Sequence, residues 1–87
     1  MTSHDQAEAF VALLPEGVMT PQPYCHNICV TLEWEGGKNG DCCLAINETG
    51  QYNFTWNING SKGNAFGRFS GTEIPPTLLE RIREISR

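Results

Sequence analysis

Three consecutive runs of strictly alternating apolar and polar residues, joined by very short connectors, constrain this chain more than any other feature. In residues 27–35, Ile28, Val30, Leu32 and Trp34 alternate with Cys29, Thr31, Glu33 and Glu35. In residues 42–47, Cys42, Leu44 and Ile46 fall on one side and Cys43, Ala45 and Asn47 on the other. In residues 52–58, Tyr52, Phe54, Trp56 and Ile58 oppose Asn53, Thr55 and Asn57. A period of two marks a strand with one buried and one solvated face. The glycine-rich connector at 36–40 and the turn at 47–50 are far too short for the crossover that parallel strands require, so the sheet is antiparallel. Asn47-Glu48-Thr49-Gly50 fits a type I turn closed by a glycine in the left-handed region.

A fourth run, 64–70, is less regular. Phe66 and Phe69 are three apart, which breaks the alternation. The break predicts either a bulge at Gly67 or an irregular edge strand, and the edge strand is the expectation. The turn before it reads as Asn59-Gly60 through Gly63.

A helical period flanks the strands. Over residues 3–14, Ala7, Phe10, Val11 and Leu14 recur on one face, and Ser3 with Gln6 reads as a capping box. Pro15 and Gly17 end that helix, and the proline-bearing stretch 15–24 reads as a connector. Over residues 76–86, Leu78, Leu79, Ile82 and Ile85 form an apolar stripe. Pro76 suits a first helical position, Thr77 with Glu80 reads as a second capping box, and Arg83 and Arg87 complement the helix dipole. The expected fold is therefore α+β: a three- to four-stranded antiparallel meander with an amphipathic helix from each end packed on the sheet. With 87 residues the chain makes one domain, 1–87, around one core.

Charge narrows the partners. The net charge is −4, and it is uneven: the acids concentrate before residue 62 and most of the bases after it. An acidic domain is a poor match for a phosphate backbone, so no direct nucleic-acid binding is expected and the partner sought is a protein with a basic surface. No run of 18 apolar residues predicts a membrane span. The N-terminus lacks the basic and apolar regions of a secretory leader, which places the chain in the cytoplasm with reduced thiols.

The residues able to carry chemistry are few. Cys25, His26 and Cys29 are the candidates for a metal or thiol site, but Cys42 and Cys43 are adjacent in a strand and point to opposite faces, so a four-ligand zinc site is not expected. A disulfide between Cys25 or Cys29 and Cys42 or Cys43 would have to cross the first hairpin, and would matter only in an oxidising compartment. Glu33 and Glu35 share one face, yet a flat sheet offers no cleft to split their titration, so no catalytic site and no cofactor are expected. Three Asn-x-Ser/Thr patterns begin at Asn47, Asn53 and Asn59, and are read as turn and strand-face chemistry.

What is left is the polar sheet face. Thr31, Glu33, Glu35, Asn53, Thr55 and Asn57, with Ala45 among them, are the candidate binding surface. The function expected is a small acidic protein-binding module, an inhibitor, antagonist or adaptor that docks on a larger protein. The alternatives are a small-ligand or glycan-binding domain, which would need Trp34 or Trp56 exposed, and a Cys/His metal or thiol protein.

Overall fold

A computed structural model describes residues 2–26 and 29–86, with His26 described by its backbone alone. The elements in chain order are α1 (Ser3–Ala12), β1 (Gln22–His26), β2 (Cys29–Glu35), a 3₁₀ turn (Gly37–Asn39), β3 (Gly40–Asn47), β4 (Gln51–Ile58), β5 (Ser61–Arg68) and α2 (Pro76–Ile85). The five strands form one antiparallel sheet in sequential order, β1-β2-β3-β4-β5. Among the described residues, no helix is long and apolar enough to cross a membrane.

The α+β class and the antiparallel meander agree with the sequence reading, but the sheet has five strands rather than three or four. The additional strand is β1, which begins in the stretch 15–24 read as a connector and runs two residues past it. Its prolines concealed it, because proline argues against a strand interior. The register explains the tolerance. Gly36 donates its amide to the Gly40 carbonyl at 2.8 Å, so even-numbered residues of β2 bond to β3 and odd-numbered ones to β1. Gln22 pairs with Glu33 and Tyr24 with Thr31, which leaves Pro23 facing away from β2, where its missing N–H costs nothing. Ile28, placed in the first strand by its alternation, lies outside the described residues.

The last strand also differs. Asn59 and Gly60, with φ of 52° and 83°, form a complete two-residue turn, the kind that matches the twist of a hairpin. β5 therefore begins at Ser61, opposite Ile58. It runs without a bulge to Arg68. The spacing of Phe66 and Phe69 reflects the end of the strand: Phe66 points to the outer face, while Phe69, just past β5, turns inward and bonds its amide to the Gly50 carbonyl at 2.8 Å. Gly63 and Gly67 face the rings of Trp56 and Tyr52 across the β4–β5 ladder, and a Cβ at either would overlap those rings. The two aromatics thus cover the inner side of an otherwise bare edge strand.

Both helices lie on the same face of the sheet, α1 over β2 and β3 and α2 over β2, β3 and β4. The capping box of α1 is one residue earlier than expected. Thr2 and Asp5 exchange the two bonds, each at 3.1 Å, and Gln6 instead lies buried with its amide donating to the Glu48 carbonyl at 3.2 Å. At α2, Pro75 is the N-cap and no side chain caps the helix. Thr77 lies inside the helix, so its pairing with Glu80 does not form the box. Arg87 is outside the described residues.

The core joins Ala7 and Phe10 of α1, Val30, Leu32 and Trp34 of β2, Cys42, Leu44 and Ile46 of β3, Phe54 of β4, and Leu78, Ile82 and Ile85 of α2. Edge-to-face aromatic contacts run through it: Phe69 to Phe10 at 5.4 Å, Phe10 to Trp34 at 6.2 Å, and Trp34 to Phe54 at 6.3 Å. Such pairs add about 0.5–1.5 kcal/mol each beyond their buried area. Trp34 is completely buried, whereas Trp56 is half-buried under the guanidinium of Arg81, whose Cζ stands 5.4 Å from the ring centroid.

Truncation should separate the two tryptophans. Trp34→Ala is expected to cost about 3–5 kcal/mol by leaving a cavity, a large share of the roughly 5–15 kcal/mol that holds a domain folded. Trp56→Ala should cost distinctly less. Urea midpoints of the two variants measure the difference, and equal midpoints would contradict this assignment of core and rim.

Candidate functional site

The face of the sheet opposite the helices is covered by none of the described elements. Its side chains form rows across the strands, set by the register. One row is Tyr24, Thr31, Ala45, Asn53 and Phe66. The next is Gln22, Glu33, Cys43, Thr55 and Asn64, and beside it lie Glu35, Asp41, Asn57 and Lys62. All six candidate residues from the sequence, Thr31, Glu33, Glu35, Asn53, Thr55 and Asn57, therefore share this one surface. Asn53, Thr55, Asn57 and Glu35 are exposed, and Thr31 and Glu33 are half-buried.

Two features of the surface were not read from the sequence. The first is aromatic. Tyr24 is 50% exposed and Phe66 74% exposed, and they end the same row on opposite edge strands. Four strand spacings put them about 19 Å apart. The signal for Phe66 was present: a two-residue Asn-Gly turn fixes Ser61 opposite Ile58, and counting from there puts Phe66 beside Asn53. Tyr24 stayed hidden with its strand.

The second feature is electrostatic. Asp41 stands directly opposite Glu35, and Glu33 is two residues from Glu35 on the same face. Like charges in such positions repel. A hydrogen bond to the Glu35 carboxyl, reinforced by burial and by the charges of Glu35 and Asp41, holds the Glu33 proton more tightly than usual and raises its pKa. Among the described residues the ion pairs are His4 with Glu8 and Arg81 with Glu84, and neither reaches this cluster. The bases of the face, Lys62 and Arg68, both lie on β5. The surface is thus acidic at β2–β3 and basic along one edge.

The cysteines do not converge. Cys25 pairs with Val30 and so lies on the helix-bearing side, while Cys29 pairs with Asn47 on the open side. Strand parity therefore separates the two thiols proposed for a shared metal or thiol site, and the His26 side chain lies outside the described residues. Parity excludes Cys25–Cys43 and Cys29–Cys42, and register keeps the same-face pairs apart: Cys25 is in line with Ile46, four residues from Cys42, Cys29 is opposite Asn47, four residues from Cys43, and all four thiols are free. Burial pushes the Cys42 thiol up to about 12, and it also raises Cys43, against a hydrogen bond with Thr55 that lowers it. The ligand atoms of His4, Asp5 and Glu8 come within 4.8 Å of one another on exposed side chains at the start of α1, and the Asp5 carboxylate there already accepts the Thr2 amide.

A shallow apolar groove of about 390 Å³ separates α1 from β1, lined by Ala7, Val11, Pro23 and Leu32 with His4 and Glu8 at its rim. Neither tryptophan belongs to the polar face, since both point toward the helices. No known protein family, curated protein or solved structure matches the chain.

Two measurements follow from this geometry. Iodoacetamide should modify Cys25 first and Cys42 only on unfolding, because a buried thiol with a raised pKa supplies little thiolate; mass spectrometry of timed samples gives the order. Glu35→Gln should lower the Glu33 pKa toward the ordinary glutamate range, leaving the smaller effects of burial and Asp41. Because the folded chain binds the Glu33 proton more tightly than the unfolded one, stability falls as pH rises from the ordinary glutamate range through the raised value, and the loss persists above it. Glu35→Gln is therefore expected to melt higher than the parent at pH 7, with the gap closing on acidification; carboxyl titration by NMR checks the assignment.

Proposed function

We propose that this chain is a small protein-binding module that docks through its open sheet face on a larger protein, in the manner of an inhibitor, antagonist or adaptor. The observation that carries this reading is the row from Tyr24 to Phe66, exposed aromatics at both ends of a polar floor, beside the carboxylates of Glu33, Glu35 and Asp41. Exposed aromatics are the usual anchors of binding energy at protein interfaces. A crowded carboxylate cluster weakens the free protein and is relieved when a base from a partner meets it. Local conflicts of this kind are expected at functional positions rather than elsewhere. The face is the back of one continuous five-stranded sheet, so little ordering entropy opposes docking.

The glycan-binding alternative loses its support, because the tryptophans it needs stand on the other side of the sheet. The partner is expected to be basic where it meets β2 and β3. Cytoplasmic residence is part of the same proposal, supported by four cysteines that stand as free thiols.

The test is an affinity capture by the tagged protein from lysate of its source, read by mass spectrometry and repeated at high salt. A stoichiometric, salt-sensitive partner is expected. Glu33→Lys combined with Glu35→Lys should lower its capture at least about tenfold, a loss of roughly 1.4 kcal/mol, and Tyr24→Ala or Phe66→Ala should weaken it further. Melting temperatures of Tyr24→Ala and Phe66→Ala should stay near that of the parent, and the charge-reversed variant, relieved of carboxylate crowding, should melt no lower than the parent. Unchanged capture by the charge-reversed protein would remove the face from the interface.

A further inference from the structure

The two edges of the sheet are not equivalent. β1 is short, and its outward-facing positions are Pro23 and Cys25, so its free edge presents one amide fewer than a normal strand. A proline at such a position is a device that blunts an edge. β5 has no such protection. The amide of Phe69 bonds to the Gly50 carbonyl on the β4 side, which fixes the parity of the ladder. Odd-numbered residues of β5 bond to β4, and the amides and carbonyls of Lys62, Asn64, Phe66 and Arg68 point outward. No described element lies beyond β5, and none of its residues is buried.

The side chains of those four residues lie on the open face, with a cation near each end and Phe66 between. Neither β5 nor the adjacent β4 contains an acid. A second copy of this strand is a poor occupant: paired antiparallel along its whole length, it would set Lys62 against Arg68, and like charges directly opposite are destabilising. An extended segment with acids at the matching places would oppose both cations and lay an apolar side chain against Phe66.

We propose that the open edge of β5 receives an extended, acidic segment of a partner protein as a sixth antiparallel strand. Main-chain bonds to Lys62, Asn64, Phe66 and Arg68 supply the affinity, and the two cations select the sequence, as in other strand-addition complexes. The assignment rests on the protein-binding reading only in taking the partner to be a polypeptide.

The test uses the intact protein and two synthetic peptides of alternating valine and threonine, one with glutamate at both ends and one with lysine there instead. Amide hydrogen exchange is followed residue by residue. The acidic peptide is expected to slow exchange at Lys62, Asn64, Phe66 and Arg68 on the order of tenfold at saturation, with little change elsewhere, and the lysine peptide is expected to leave these amides unchanged. Asn64→Pro removes one outward amide without touching the β4 ladder and should abolish the effect. Lys62→Glu combined with Arg68→Glu should invert the preference between peptides. Glu33→Lys combined with Glu35→Lys should leave the protection intact, so that loss of the face interface and loss of the edge interface are told apart. Equal protection by both peptides, protection at β1 instead of β5, or protection that rises with protein concentration in the absence of peptide would each overturn the proposal, the last by making a second copy the occupant.

Discussion

The indole N–H of Trp34 donates to the Met19 carbonyl at 3.0 Å, and much of the structure is organised around that bond. A buried indole needs a partner for its N–H. Here the partner is the backbone of the segment between α1 and β1. Met19 in turn donates its amide to the Ser86 hydroxyl at 2.7 Å, and Ser86 donates to the Ile82 carbonyl at 2.7 Å. One ring near the end of β2 thus holds the N-terminal connector, which in turn holds the end of α2. The same ring touches Phe10 and Phe54, so α1 and β4 are gathered onto it as well.

This arrangement explains why both helices share a face. The sheet has one face of large apolar side chains, and Trp34, near the end of β2, is the largest of those fully buried. A helix on the opposite face would meet Thr31, Asn53 and Thr55, which offer hydrogen bonds to water but little apolar area. With all the apolar surface of the helices committed to one side, the other side remains free for charged and amide side chains.

Alternation alone made β2, β3 and β4 legible in the sequence, together with the direction of every side chain in them, and the apolar stripes made both helices legible. Local chemistry then competed at the margins. Ser3 and Gln6 formed a plausible box, but burial of Gln6 under the 47–50 turn is the stronger demand, and Thr2 with Asp5 caps the helix instead. Prolines hid β1, because whether a proline is tolerated depends on which way its nitrogen faces, and that is set by pairing with β2 rather than by β1 itself. The six candidate residues of the open face were correctly grouped by period. Asp41 was not among them because it stands just ahead of the alternating run that starts at Cys42, and Tyr24 and Phe66 join the surface only through cross-strand register, a property that no single strand carries. The Cys25–Cys29 grouping failed for the same reason: proximity along the chain across a hairpin says nothing of which face each thiol takes.

Every strand in the sheet pairs with its neighbour in sequence, so the ladder is assembled from hairpins closed by short turns. The bond between Met19 and Ser86 is of another kind, joining positions 67 apart. Chains rich in local contacts fold quickly, while contacts between distant positions must first close a long loop. The topology therefore divides formation of this molecule into two parts. The meander can assemble from its own turns, with Trp34 still open to water on one side, and arrival of the two termini seals that ring and completes the inner layer.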